Sequence, residues 1–294
     1  MLILQMKGLV YRMEIKWYKN RRLMNVNQRE GVTWLTYPAF ESLPGVVHGF
    51  STRLGGVSKG IYESMNLSFT RGDDEEAVRE NYRRLSGAMG FSIEDIVTSD
   101  QTHTTNVRVV TEEDRGNGIT KPRPYTDVDG MITNTTGLVL ATFYADCVPL
   151  FFSDPENKAV GLSHSGWRGT VGKIGKVTVE KMAEEFGTDP SQLYAAIGPS
   201  ICQECYEVSE DVIKKFRENY DENLWPEIFY QKENGKYQLN LWKANESVFL
   251  ESGILPEHIA VTNVCTHCNP DILFSHRTTG NERGTLSAFL ALKK

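Results

Sequence analysis

Two apolar runs of strand length, 138–144 and 148–152, are separated by only three residues, Ala145-Asp146-Cys147. Runs this short and this apolar fit strands buried within a core. An acid and a thiol placed between two such strands must sit at the rim of that core, where strand gives way to loop. Functional residues are often carried on loops held by a rigid scaffold. This one interval therefore predicts a sheet-based core and marks one of its edges as the place for chemistry.

The remaining pattern mixes strands and helices. Residues 46–51 read as a strand running into a Gly-rich turn at 52–58. Asp73 is expected to cap a helix with Val78, Tyr82, Leu85 and Met89 on its apolar face, closed by Gly90. Further strands are expected at 107–110, 131–133, 159–163, 193–197 and 259–264. Helices are expected from about 171 to 186, over 209–219 and over 241–252. This order is not a clean βαβ repeat. The expected class is α+β (mixed α/β), not a doubly wound parallel sheet. No internal repeat or low-complexity linker divides the chain, so a single domain is expected over 31–294. Residues 7–29 are polar and basic, and 1–30 are expected to be a poorly structured leader.

Charge and cysteine content narrow the function classes. Thirty-two basic against 38 acidic residues give a net charge of −6, so neither nucleic acid nor an anionic membrane is an expected partner. No apolar run approaches the ~20 residues needed to span a bilayer. Five cysteines, an odd count in a long chain, fit free or metal-bound thiols in a reducing cytoplasm.

Three strings each carry one soft ligand: Gln101-Thr102-His103, Ala145-Asp146-Cys147 and His164-Ser165-Gly166-Trp167-Arg168-Gly169. Two imidazoles and one thiolate form a three-ligand zinc set with a fourth position open, the mark of a catalytic rather than a structural ion. The same donors suit copper, with zinc preferred here. Asp146 could orient a ligand, act as general acid or base, or simply cap the turn. Arg168, at a helix start, and Arg53, in the Gly-rich loop, are candidate anion-binding groups; pairing with surface carboxylates is the alternative for each. Asp127-Val128-Asp129-Gly130 is expected to form a turn, with Asp129 available as a polar contact in the site. His276-Arg277 is expected to reach the same cleft.

Cys202 and Cys205 form one C-x-x-C unit, Cys265 and Cys268 another. The units lie 63 positions apart (265 − 202), far beyond the ~15–20 intervening residues of compact zinc ribbons. The expected order is ordinary thiols first, a second structural zinc next, and a redox disulfide last.

Taken in order, these strings resemble one family. His48-Gly49-Phe50-Ser51-Thr52-Arg53 with Gly55-Gly56-Val57-Ser58 resembles its opening motif, and the three ligand strings follow. Ile197-Gly198-Pro199-Ser200, Cys205-Tyr206-Glu207-Val208, Asn240-Leu241-Trp242 and Ser275-His276-Arg277 continue the match to the C-terminus. The family is the YfiH/YlmD group, long labelled polyphenol oxidase or laccase domain and understood as zinc-dependent purine nucleoside phosphorylases. The resemblance implies mixed β-sheets sandwiched with helices, as in the cytotoxic necrotizing factor catalytic domain. It implies phosphorolysis of adenosine, inosine or guanosine to base and ribose 1-phosphate, with methylthioadenosine cleavage and adenosine deamination as further activities. It places zinc on His103, Cys147 and His164 and the anion on Arg53, with Arg168 in a matching motif. Ser165 stands where the family has Ala, 278–284 is a looser version of an arginine-rich tail, and Cys202-x-x-Cys205 replaces adjacent cysteines. Three other readings stand beside it: a cysteine hydrolase using Cys147 and His164, a copper-dependent phenol oxidase, and a zinc-binding module without catalysis. Six histidines are few for the multicopper case.

Overall fold

The computed structural model describes residues 2–6 and 9–294. The two apolar runs are strands Val139–Tyr144 and Val148–Asp154, and they belong to different sheets. One six-stranded sheet has the order Asn25–Arg29, Val32–Thr36, Val46–Ser51, Leu286–Leu292, Val139–Tyr144, Ile96–Thr98. The other has the order Ile259–Val261, Tyr194–Ile197, Val148–Asp154, Ala159–Ser165, Gly130–Thr133, Val107–Val109. Both are antiparallel at the centre and gain parallel pairs toward their edges. The mixed α/β class read from the sequence is the class observed.

Alternation along the strands explains the layering. Successive side chains point to opposite faces, so a strand apolar at every position must be covered on both. Leu140 packs with Phe50, Leu290, Phe151, Leu162 and Met131 in a core between the two sheets. Its neighbours Val139 and Ala141 face outward, onto Val78, Tyr82 and Leu85 of the helix Glu75–Met89. On the second sheet, Phe151 points into the shared core. Leu150 and Phe152 point away, onto Ile174, Met182 and Phe249 of the helices Ile174–Phe186 and Leu241–Glu251. The layers are therefore helix, sheet, sheet, helices. Burying each such large side chain stabilises by roughly 1.5–3 kcal/mol. The turn at Cys147, where the chain crosses from one sheet to the other, is thus held by packing on both sides.

Several expectations need adjustment. The segment expected as a poorly structured leader contains strands. Leu2–Met6 pairs with Leu9–Met13, Asn25–Arg29 pairs with Val32–Thr36, and Ile15 and Met24 are buried. Asn25–Arg29 is polar because it lies at a sheet edge, where side chains meet water. The cap of Glu75–Met89 is Asp74, which accepts the Ala77 N–H. Asp73 instead accepts from Ser58 and Asn66, tying down the Gly-rich loop. The helix expected from 171 is split into Trp167–Val171 and Ile174–Phe186, with Lys173 at φ +56° between them. Among the described residues, no helix is long and apolar enough to cross a membrane.

Candidate active site and metal centre

His103, Cys147 and His164 converge at the seam between the sheets. One ligand atom from each lies within 4.8 Å of the others. Cys147 Sγ and His103 Nε2 are 4.0 Å apart, and the two imidazoles meet edge to face with centroids 4.9 Å apart.

Each ligand is positioned for a local reason. His164 is the penultimate residue of the central strand Ala159–Ser165 and is 3% exposed. Cys147 follows Asp146, whose φ of +92° turns the chain from one sheet into the other. His103, at φ +68°, lies in a loop wrapped around a single carboxylate. Asp129 accepts the backbone N–H groups of Thr102 (3.0 Å), His103 (3.1 Å) and Thr104 (2.9 Å). Its Oδ1 also lies 2.7 Å from His164 Nδ1. Gln101 pins the other side of the loop, accepting the Phe143 N–H and donating to the Phe143 carbonyl. Room for the trio comes from Gly166: a Cβ there would lie 2.8 Å from His103 Cδ2 and 3.2 Å from Cys147 Sγ.

The electrostatics favour the anionic forms of Asp129 and Cys147; burial lowers the His164 imidazole, but those same anions outweigh it and raise it to about 9, so a bound ion would displace its proton. Burial works against the Asp129 carboxylate, but the His164 contact and the backbone N–H groups outweigh it and hold it down to about 2. Burial would also raise the Cys147 thiol. The opposing charge of His164 and the His103 hydrogen bond bring it down to about 6. With Asp129 on Nδ1, His164 presents Nε2 to the trio, the arrangement that orients metal-binding imidazoles. Two nitrogens and one thiolate at this spacing suit a tetrahedral thiophilic ion with one side free.

Two hollows meet at His103 and Cys147 and share Arg71, Ala145 and Arg283 as wall. The first, about 280 Å³, is lined by Ser68, Thr70, Gln101, Phe143 and Tyr144 among others. The second, about 300 Å³, has apolar walls from Trp167, Ile201, Tyr206 and Leu241, with Asp146, Arg168, His276 and Arg277 at its polar margin. Arg283 is 7% exposed, and its Nε has no hydrogen-bond partner. Burial, together with the nearby charge of Arg71, pulls its guanidinium down to about 10, leaving it charged at neutral pH. A buried cation with an unpaired N–H is suited to an anion.

The fold thus brings together most of the residues singled out in the sequence. Asp146 lines the second hollow, with both carboxylate oxygens engaged: Thr266 Oγ1 donates at 2.5 Å and the Arg277 N–H at 2.7 Å. Arg168 lines the same hollow, its guanidinium over the Trp167 ring. His276 and Arg277 reach the cleft as expected. Arg53 lines neither hollow. Its guanidinium donates to the Glu63 and Pro270 carbonyls at 2.7 and 2.9 Å and stacks on Phe274. Arg71 and Arg283, which the sequence reading did not single out as anion ligands, line both hollows. Arg71 lies in a polar loop with no periodic signal, and Arg283 in the loosely matching 278–284 tail. The four remaining cysteines also converge, with Sγ atoms all within 4.8 Å.

The model of the family described as multi-copper polyphenol oxidoreductase laccase matches residues 47–293. A Bacillus subtilis (strain 168) protein named purine nucleoside phosphorylase YlmD is 36% identical over 251 residues, 85% of this chain and 89% of that protein. A protein from an unknown prokaryotic organism, named adenosine deaminase RL5, is 34% identical over 240 residues, covering 81% and 91%. The crystal structure of YlmD from Geobacillus stearothermophilus superposes with a TM-score of 0.85 at 35% identity, covering 92% of this chain and 99% of that one. A match over this much of the chain, in sequence and in fold, means that it belongs to the YfiH/YlmD laccase-domain family.

Proposed function

We propose that the protein is a zinc-dependent purine nucleoside phosphorylase. It cleaves adenosine, inosine or guanosine, and methylthioadenosine as a further substrate, to the free base and the 1-phosphorylated sugar. The observation that carries this reading is the meeting of His103, Cys147 and His164 beside two buried-edge arginines. The names of the relatives support the reaction class.

Zinc would be held by His103, Cys147 and His164, where it supplies a Lewis acid that polarises a substrate oxygen. The chain's own residues do the rest. Phosphate docks on Arg71 and Arg283, with Arg168 at the margin, and its oxygen approaches the anomeric carbon of the sugar. The C–O bond forms as the C–N bond to the purine breaks, and the departing base takes up the proton that the attacking hydrogen phosphate gives up. The apolar walls of Trp167, Ile201, Tyr206 and Leu241 accept the planar base and keep water from competing. Asp146, with both oxygens already accepting hydrogen bonds, suits an orienting acceptor better than a proton donor. Preorganised arginine charge stabilises the transition state without reorganisation.

Zinc is favoured over copper by the histidine inventory. Of the six histidines, His48 is buried against aromatic rings and His258 stacks on Tyr194. Among the described residues, only His103 and His164 share a cluster of metal-ligating groups. The deciding experiment is turnover of inosine and adenosine with and without phosphate, in zinc-loaded wild type and Cys147→Ala. Ribose 1-phosphate formed only with phosphate and lost in the variant supports the proposal. Phosphate-independent base release, or full activity in the variant, overturns it. Ammonia release from adenosine in the same samples tests the deaminase activity suggested by RL5.

One arrangement favours a second reading. Cys147, His164 and Asp129 follow one another as nucleophile, base and orienting carboxylate would in a cysteine hydrolase. Alkylation that abolishes activity while zinc remains bound would favour that reading.

A further inference from the structure

Outside the active site, the cysteines left over by the function form a second constellation. Cys202 and Cys205 sit on the turn that follows strand Tyr194–Ile197, Cys265 and Cys268 on the turn after strand Ile259–Val261. Those strands are parallel neighbours, so the two turns leave the sheet side by side. Their pairing continues past the strands through a parallel bridge between Ser200 and Cys265 and a hydrogen bond from the Thr266 N–H to the Ser200 carbonyl. The 63-residue separation in sequence is thus closed by sheet topology rather than by a local ribbon.

We propose that Cys202, Cys205, Cys265 and Cys268 bind one structural zinc ion, distinct from the ion of the active site. All four Sγ atoms lie within 4.8 Å of one another, and Cys205 and Cys268 Sγ are 3.4 Å apart. Zinc–sulfur bonds of about 2.3 Å in a tetrahedron put the sulfurs about 3.8 Å from one another. The cluster is therefore already near the size of a mononuclear tetrathiolate. The Cys202 N–H donates to Cys265 Sγ at 3.3 Å, the kind of contact that stabilises a coordinated thiolate. Four ligands close the tetrahedron and leave no open position, which makes the site structural. Cys202 and Cys265 are 2% exposed and belong to the apolar cluster of Ile174, Leu241 and Phe249 beneath the helices, while Cys205 and Cys268 are half-buried. Binding exchanges the thiol protons for the metal and releases them to solvent.

The same turns form the back wall of the active site. Ile201 and Tyr206 flank the first pair and line the apolar hollow. Thr266, between the second pair, donates to Asp146, and the Ile201 N–H donates to the Asp146 carbonyl. An ion joining the turns would brace Asp146, the neighbour of the active-site ligand Cys147.

The test is metal content and zinc-edge X-ray absorption on full-length protein. Wild type should carry two zinc per chain. His103→Ala, altered in an exposed loop, should keep one, with four sulfur neighbours at about 2.3 Å. Cys205→Ser with Cys268→Ser should also keep one, with mixed nitrogen and sulfur neighbours. The His103→Ala measurement leaves the tetrad intact, so the test survives if the double variant fails to fold. Iron in place of zinc, no metal in His103→Ala, or disulfides that survive denaturation without reductant would each overturn the proposal. Loss of only the mixed-ligand ion would count against the active-site reading alone.

Discussion

Asp129 and His164 share a 2.7 Å contact, and the same carboxylate gathers the backbone of the loop that carries His103. One buried acid therefore positions two ligands that are 61 residues apart in sequence (164 − 103). Asp129→Asn keeps the shape but turns an amide toward groups that all donate. Zinc affinity should fall by about 10- to 100-fold, the range for losing a partner that orients a metal ligand. Competition with a chromogenic chelator measures it; an unchanged affinity would mean that His103 and His164 are held by other contacts.

Gly166→Ala tests the space around the trio. Gly166 has a φ of −71°, so alanine carries no backbone penalty there. Its methyl group would press on His103 and Cys147. The variant should lose metal and turnover while its thermal midpoint stays within a few degrees of wild type. Full zinc occupancy would show that the His103 ring moves aside freely.

The arginines separate binding from scaffolding. Arg283→Gln and Arg71→Ala should each raise the KM for phosphate about tenfold or more, since charge-assisted hydrogen bonds of about 1.5–3 kcal/mol are lost. Arg53→Ala should leave that KM nearly unchanged. It removes two bonds to carbonyls and the stacking on Phe274, so it should destabilise the fold by about 2–3 kcal/mol. A phosphate KM that moves only in Arg53→Ala would reverse the assignment.

What could be read in the sequence depended on whether a signal was local. Strands such as Val46–Ser51 and Val148–Asp154 announce themselves as apolar runs, and His103, Cys147 and His164 lie at the ends of such runs or beside turns. Asn25–Arg29 is a strand made by pairing with Val32–Thr36 rather than by its own composition, so it read as polar leader. The meeting of Cys202 with Cys265 depends on two strands being parallel neighbours, a fact of topology that no spacing rule contains. Arg53 and Arg283 differ in what surrounds them rather than in identity. One finds two carbonyls and a ring, the other a buried wall with an N–H to spare.

Stability should fall in acid because of a histidine remote from the chemistry. His48 is buried against Tyr37, Phe40 and Phe151, and its Nε2 accepts the Tyr37 N–H at 2.7 Å. Burial pushes its imidazole down to about 3, against about 6.5 in an unfolded chain. Above pH 6.5 the group is neutral in both states and its contribution is intact. As pH falls from about 6.5 toward 3, the unfolded chain takes up a proton that the folded protein refuses, so folding free energy drains away, by about 4–5 kcal/mol at most. His48→Gln offers an acceptor near the same place without a titrating ring. Denaturant unfolding at a series of pH values should show a steep acid limb in wild type and a flatter one in the variant. Parallel limbs would assign the acid sensitivity to other groups, and a His48 nitrogen signal titrating near 6.5 in the folded protein would contradict its burial as a neutral acceptor.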